Sequence, residues 1–102
     1  MHSARDRREH REWLDELEQV ADRLQLSMEA RSTAVDLFLQ DVPERDRSKR
    51  ARLAASVYAG ALIARDGHSQ GAVAAAAGVS RLSIQQRWKG LLESAGLEPP
   101  GW

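Results

Sequence analysis

The run from Ala51 to Ile63 constrains this chain more than any other stretch. Ala51, Leu53, Ala54, Ala55, Val57, Tyr58, Ala59, Ala61, Leu62 and Ile63 leave a helix of this sequence apolar almost all round. A helix without a polar face has to be covered by neighbours on several sides. Its alanines let those neighbours approach closely. Charge is confined to its N-terminal turns, where Arg45, Arg47, Lys49, Arg50 and Arg52 stand against Glu44 and Asp46. Asp66-Gly67 is the expected stop. The chain is therefore expected to wrap other helices around a central one over 46–65.

The flanking sequence supplies those helices. Alanine dominates, aromatics are few and β-branched residues are scarce, which points to an all-α fold. A length of 102 residues makes one domain with one core. Trp13, Leu14, Leu17, Val20, Ala21 and Leu24 form an apolar stripe on a first helix over 4–25, with Ser3 as its cap. Asp15, Glu16, Glu18 and Asp22 make the opposite face acidic and solvated. Ser27 caps a second helix over 28–42, whose inner face is Val35, Phe38, Leu39 and Val42. Pro43 stops it. Residues 1–12 mix both signs and are expected to form a partly frayed helical segment ahead of a domain over 13–95. Residues 96–102 read as an irregular tail.

After the central helix the chain turns twice within a short span. Ser69 caps a helix over 69–77 with Val73, Ala74 and Ala77 on its inner face. Gly78 suits the left-handed residue that ends a helix tightly. Ser80 caps a fifth helix over 81–94, where Ile84, Trp88, Leu91 and Leu92 share one face at helical spacing. A small residue, a glycine four positions on, an apolar residue, a cap and then a buried branched residue is the layout of a helix-turn-helix, here over 69–94. Arg81, Leu82, Ser83, Gln85, Gln86 and Lys89 then become the candidate DNA-binding set. Leu82, Gln85, Gln86 and Lys89 lie opposite Ile84 and Trp88, and Arg81 stands in the first turn. The basic turn Arg47, Lys49 and Arg50 offers further backbone contacts, although a solvated helix end has the same composition.

Other classes of function find little support. His2, His10 and His68 lie far apart without ligand spacing, so no metal site is expected. No phosphate loop, nucleophile–base set or glycine fingerprint is visible, so neither an enzyme nor a cofactor is expected. The absence of cysteine excludes disulfides and cysteine-based zinc sites and fits a reducing cytoplasm, or the nucleoid in a prokaryote. No apolar run approaches a membrane span. Net charge is zero, but its distribution is uneven. Residues 1–42 hold 6 Lys/Arg and 10 Asp/Glu, and residues 43–102 hold 9 and 5, a swing from −4 to +4. One end of the molecule is therefore basic.

The third helix, Arg50-x-x-x-Ala54-Ala55-x-x-Tyr58-x-x-Ala61, resembles that of a cyclin-like repeat in transcription initiation factor IIB and its archaeal counterpart, transcription factor B. The stretch Ser69-Gln70-x-x-Val73-Ala74-x-x-Ala77-Gly78-Val79-Ser80-x-x-Ser83-Ile84-x-x-Arg87-Trp88-Lys89-x-Leu91 is similar to the end of such a repeat, especially the second. The resemblance runs over about 10–95. It implies a five-helix cyclin-like domain with a buried third helix and a C-terminal helix-turn-helix that reads promoter DNA. It also implies duplex DNA, and TATA-binding protein or another transcription-machinery protein, as partners. In the family an apolar residue before the Ser-Ile pair and an arginine after it make the promoter contacts; Leu82 and Gln85 match those positions. Glutamine there suits adenine rather than guanine. The family's zinc ribbon and second repeat have no counterpart in this sequence, so the bridging role of a full initiation factor is not expected. The rival expectation is a cyclin-fold module that binds a protein without reading DNA.

Overall fold

The computed structural model describes residues 8–98. Helices α1 (Arg11–Leu24), α2 (Met28–Leu39), α3 (Asp46–Ile63), α4 (Gln70–Ala77), α5 (Arg81–Gln85) and α6 (Trp88–Ser94) follow one another with no strand among the described residues. The five expected helical stretches are all present, the fifth divided into α5 and α6. Helix α3 touches each of the other five and buries Ala51, Leu53 to Val57 and Ala59 to Ala61. No helix of the described residues is long and apolar enough to cross a membrane.

The closest approach lies between α2 and α3. A Cβ on Gly60 would come within 2.8 Å of the Ala34 backbone nitrogen and 2.9 Å of the Ala30 carbonyl oxygen. The two backbones meet there without an intervening side chain. Leu17, Val20 and Ala21 of the predicted stripe on α1 are buried, with Trp13, Leu14 and Leu24 half-buried at its margins. Arg31 of α2 donates to Glu18 and Asp22 and to the Leu26 carbonyl oxygen, tying α1 to α2, and its two carboxylate partners raise its pKa further.

Several helix ends differ from the sequence reading. Residues 8 and 9 are helical, a turn at His10 interrupts the expected first helix, and α1 runs on from Arg11 with His10 as its N-cap, which forms no side-chain cap bond; the expected start near Ala4 and the Ser3 cap lie outside the described residues. At its other end Gln25 is left-handed, and the Leu26 amide donates back to the Ala21 carbonyl oxygen at 3.0 Å. Helix α2 stops at Leu39, short of Val42 and before Pro43 acts. Arg52 of α3 donates to the Leu37 and Phe38 carbonyl oxygens at 2.8 and 3.0 Å, satisfying the last turn from outside. Burial there lowers the pKa of the Arg52 guanidinium. Helix α3 ends through a left-handed Arg65, φ 57°, and not at Gly67. The Asp66 amide donates to the Ala61 carbonyl oxygen, and the Asp66 carboxylate accepts from the Ser27 amide at 2.7 Å. That tie to the start of α2 fixes the turn two residues before the glycine. Gly96 is left-handed after α6, as a closing glycine requires, and residues 99–102 of the expected tail lie outside the described residues.

Candidate nucleic-acid interface

Helix α4, the turn 78–80 and α5 are set by local bonds that the sequence encodes directly. The Ser69 hydroxyl accepts from the Ala72 amide at 3.0 Å and starts α4. Gly78 takes φ 71° and ψ 37°, and the Val79 amide donates to the Ala74 carbonyl oxygen at 3.1 Å. The Ser80 hydroxyl accepts from the Ser83 amide at 3.2 Å and lies 3.0 Å from the Ser83 hydroxyl. Val73, Ala74, Ala77 and Ile84 are buried beneath this turn. Two arginines from elsewhere hold the last carbonyls of α4. Arg23 of α1 donates to Ala76 at 2.8 Å and Arg50 of α3 to Ala77 at 3.4 Å.

The predicted fifth helix breaks at Gln86-Arg87. The Arg87 amide donates to the Ile84 carbonyl oxygen, one residue closer than an α-helix requires, and Arg87 sits at φ −119°. The carbonyl of Ser83 is thereby left without its helical donor, and the Arg87 guanidinium supplies one at 3.0 Å. Beyond the break Trp88 turns inward, 4% exposed, with its ring edge-on to Tyr58 of α3 at 5.4 Å. The sequence carries no glycine or proline at this point, which is why periodicity alone extends the helix through it.

The break divides the predicted site residues. Arg81, Leu82, Gln85 and Gln86 lie exposed on the outer side of α5 and its last turn, Leu82 with 61% of its surface open. The Arg81, Gln85 and Gln86 side chains make no hydrogen bond or ion pair among the described residues. Ser83 is half-buried and engaged with Ser80. Lys89 belongs to α6, its ammonium 5.5 Å from the centre of the Trp88 ring.

The basic turn divides likewise. Arg50 is committed inward, 5.3 Å over the Trp13 ring, 3.8 Å from Glu16 and bonded to α4. Lys49 lies 3.8 Å from Asp46. Arg47 is exposed and faces an open cleft of about 500 Å³ between the start of α3 and the α4–α5 turn. Ser48, Ser80, Ser83, Gln86 and Arg87 line the same cleft. Arg87 stands in the family pattern quoted from the sequence but not in the candidate DNA-binding set. Its spacing from Ser83 and Ser80, four and seven positions, puts all three on one helical face and is the signal for it. No group of three or more His, Asp or Glu side chains suited to a metal occurs among the described residues.

The protein-family model for the transcription factor TFIIB repeat matches residues 8–94, which include every helix described above. The chain belongs to this family. Its fold is the cyclin-like all-α fold of a TFIIB repeat, and the function it is associated with is transcription. The TFIIB repeat here ends with α4 to α6, the part that carries the unpartnered polar face. No curated protein matches the chain.

Proposed function

We propose that this TFIIB repeat is a transcription-associated domain that binds duplex DNA, with α4 and α5 as a helix-turn-helix and α5 in the major groove. The observation that carries the reading is the outer face of α5. Arg81, Gln85 and Gln86 surround an exposed Leu82, and none of the three polar side chains has a partner within the described residues. Side chains of these types pair with base edges, the thymine methyl group and phosphates. By contrast Arg23, Arg31, Arg50 and Arg52 all bond within the fold. Gln85 and Gln86 read base edges, with adenine the base that glutamine matches best. Leu82 touches a thymine methyl. Arg81 and Lys89 hold phosphates. Arg47 is the member of its basic turn free to join them, since Lys49 and Arg50 lie beside carboxylates. The proposed setting is the cytoplasm or nucleoid, and no catalysis is proposed.

A second reading has its own observation. The carboxylates Glu12, Asp15, Glu18 and Asp22 are exposed on the outer side of α1, the last two sharing the single cation Arg31, and this net acidic face would repel a duplex. It is a surface for a protein of the transcription machinery, with TATA-binding protein the one that the family resemblance suggests. Fluorescence anisotropy on a duplex selected from a random pool tests the first reading. The Gln85→Ala/Gln86→Ala variant is expected to lose discrimination between sequences, by about 1–3 kcal/mol for each good base contact removed. Arg81→Ala/Lys89→Ala is expected to weaken all sequences alike. The DNA reading fails if the folded wild type binds no duplex at low salt, or if both double variants bind as wild type does. A protein partner is then to be sought by pull-down.

A further inference from the structure

The cleft beside α5 holds two arginines from distant parts of the chain, Arg47 at the start of α3 and Arg87 at the helix break. Neither forms an ion pair among the described residues. Ser48, Ser80, Ser83 and Gln86 complete the polar lining, and no carboxylate is among the lining residues. Two uncompensated positive charges at one open cleft, with hydroxyl and amide donors beside them, make a site for an anion. The geometry points to a backbone phosphate of the duplex as that anion, gripped by Arg47 and Arg87 together. This inference rests on the DNA reading proposed above and adds to it the place where the sugar–phosphate chain crosses the protein.

Arg87 is prepared for this task by the break itself. One of its five N–H donors is fixed on the Ser83 carbonyl oxygen at 3.0 Å, which orients the planar guanidinium and leaves the other donors available. A carbonyl does not neutralise the charge, so the fork remains cationic. Arg47 also lines the cleft, from the start of α3, and its side chain has no bond among the described residues to give up. Gln86 borders both the cleft and the outer face of α5, so a phosphate held here lies next to the bases that α5 would read. The contact carries no sequence information. It sets the register in which Leu82 and Gln85 meet the base edges.

The test is anisotropy on a selected duplex and on a scrambled one, between about 50 and 200 mM salt. Arg47→Ala is the clean variant, because Arg47 has no bond within the described fold. Arg87→Ala is paired with Arg87→Lys, which keeps the charge but loses the fork. Thermal unfolding checks that these three variants and the Arg47→Ala/Arg87→Ala double variant remain folded. Each alanine variant is expected to bind both duplexes about tenfold more weakly, the loss of one charge-assisted contact. For the Arg47→Ala/Arg87→Ala double variant, the slope of log affinity on log salt should flatten by about 0.9, the value for one phosphate. Arg87→Lys should keep the wild-type slope and recover only part of the affinity that Arg87→Ala loses. If the wild type binds duplex and the folded alanine variants keep its affinity and slope, the phosphate site is wrong and the DNA reading stands. If the alanine variants weaken only the selected duplex, the arginines contact bases and the phosphate assignment is again wrong. If the wild type binds neither duplex, the DNA reading falls and the phosphate site with it.

Discussion

Helix α3 is sealed in two different ways on its two flanks. Against α2 the fit depends on what is missing: Gly60 lets the Ala30 and Ala34 backbone come within the space a methyl group would occupy. Against α6 the fit depends on what is present: the Trp88 ring stands edge-on to Tyr58, above a buried Ile84 and Leu92. The first flank joins two long helices that cross closely at Gly60, Ala30 and Ala34, and fixes the frame of the fold. The second joins short helices through a few large side chains and sets the direction in which α5 presents its outer face. A change on the first flank should therefore alter stability, whereas a change on the second should alter both stability and the proposed DNA surface.

The aromatic flank gives the largest expected effect. Trp88→Ala removes a nearly fully buried ring and should cost about 3–5 kcal/mol. That is a large share of the roughly 5–15 kcal/mol typical of a domain. Denaturant unfolding measures it. A loss below about 1 kcal/mol would mean that the ring adds little to the α3–α6 contact and that the contrast between the flanks is misdrawn.

The glycine flank comes next, and here the sign matters more than the size. Alanine is favoured over glycine inside a helix by about 1 kcal/mol. At Gly60 the added methyl meets backbone, which cannot swing aside, so Gly60→Ala should destabilise by about 1–3 kcal/mol. Gly90 in α6 is the control: a Cβ there meets nothing within 4 Å. Gly90→Ala should stabilise by about 0.5–1 kcal/mol. Opposite signs at the two glycines, read from thermal melts, would establish that the α2–α3 contact is limited by size. The same sign at both would remove the distinction.

These two flanks also show what the sequence makes legible. The central position of α3 is written in its apolar run, because no other arrangement hides so much apolar surface. Trp88 and Ile84 are recognisable as core from their spacing. Gly60 passes unnoticed inside an alanine-rich helix, since its role depends on where α2 crosses. The ends at Leu39 and Arg65 are set by Arg52 and by the Asp66–Ser27 bond, both between residues distant in sequence. The site divides in the same manner. The caps Ser69 and Ser80 and the left-handed Gly78 are local and readable. That Arg50 bonds to α4 while Arg47 faces a cleft with Arg87 depends on how α3 meets the α4–α5 turn. Adjacent basic residues look alike until that contact is known.

A smaller effect probes the local bonds that hold the second flank in place. Ser80→Ala removes the hydroxyl that accepts from the Ser83 amide and should cost about 1 kcal/mol. Helix α5 has only five residues, so it should fray at its start when the cap is lost. Hydrogen exchange at the Ser83 amide should accelerate more than at amides of α3. Equal acceleration in both helices would mean that α5 opens only with the whole fold, and that the second flank is as rigid as the first.

The smallest effect on stability falls at Leu82, and it separates folding from recognition most sharply. Leu82 is largely exposed, so Leu82→Ala should change stability by no more than about 0.5 kcal/mol. If its side chain meets a thymine methyl group, that contact has a chemical partner that can be removed on the DNA. Deoxyuridine differs from thymidine there only by the methyl. At about 0.8 kcal/mol for one buried carbon, replacing the contacted thymine should weaken wild-type binding about fourfold. The Leu82→Ala protein should bind the two duplexes equally, because it has no side chain left to notice the difference. Binding of both proteins to both duplexes completes a double-mutant cycle, and its coupling term isolates the leucine–methyl contact from any general loss of affinity. A coupling near zero at every thymine of the selected site would place Leu82 away from the bases. Helix α5 would then have to meet its partner along some other edge.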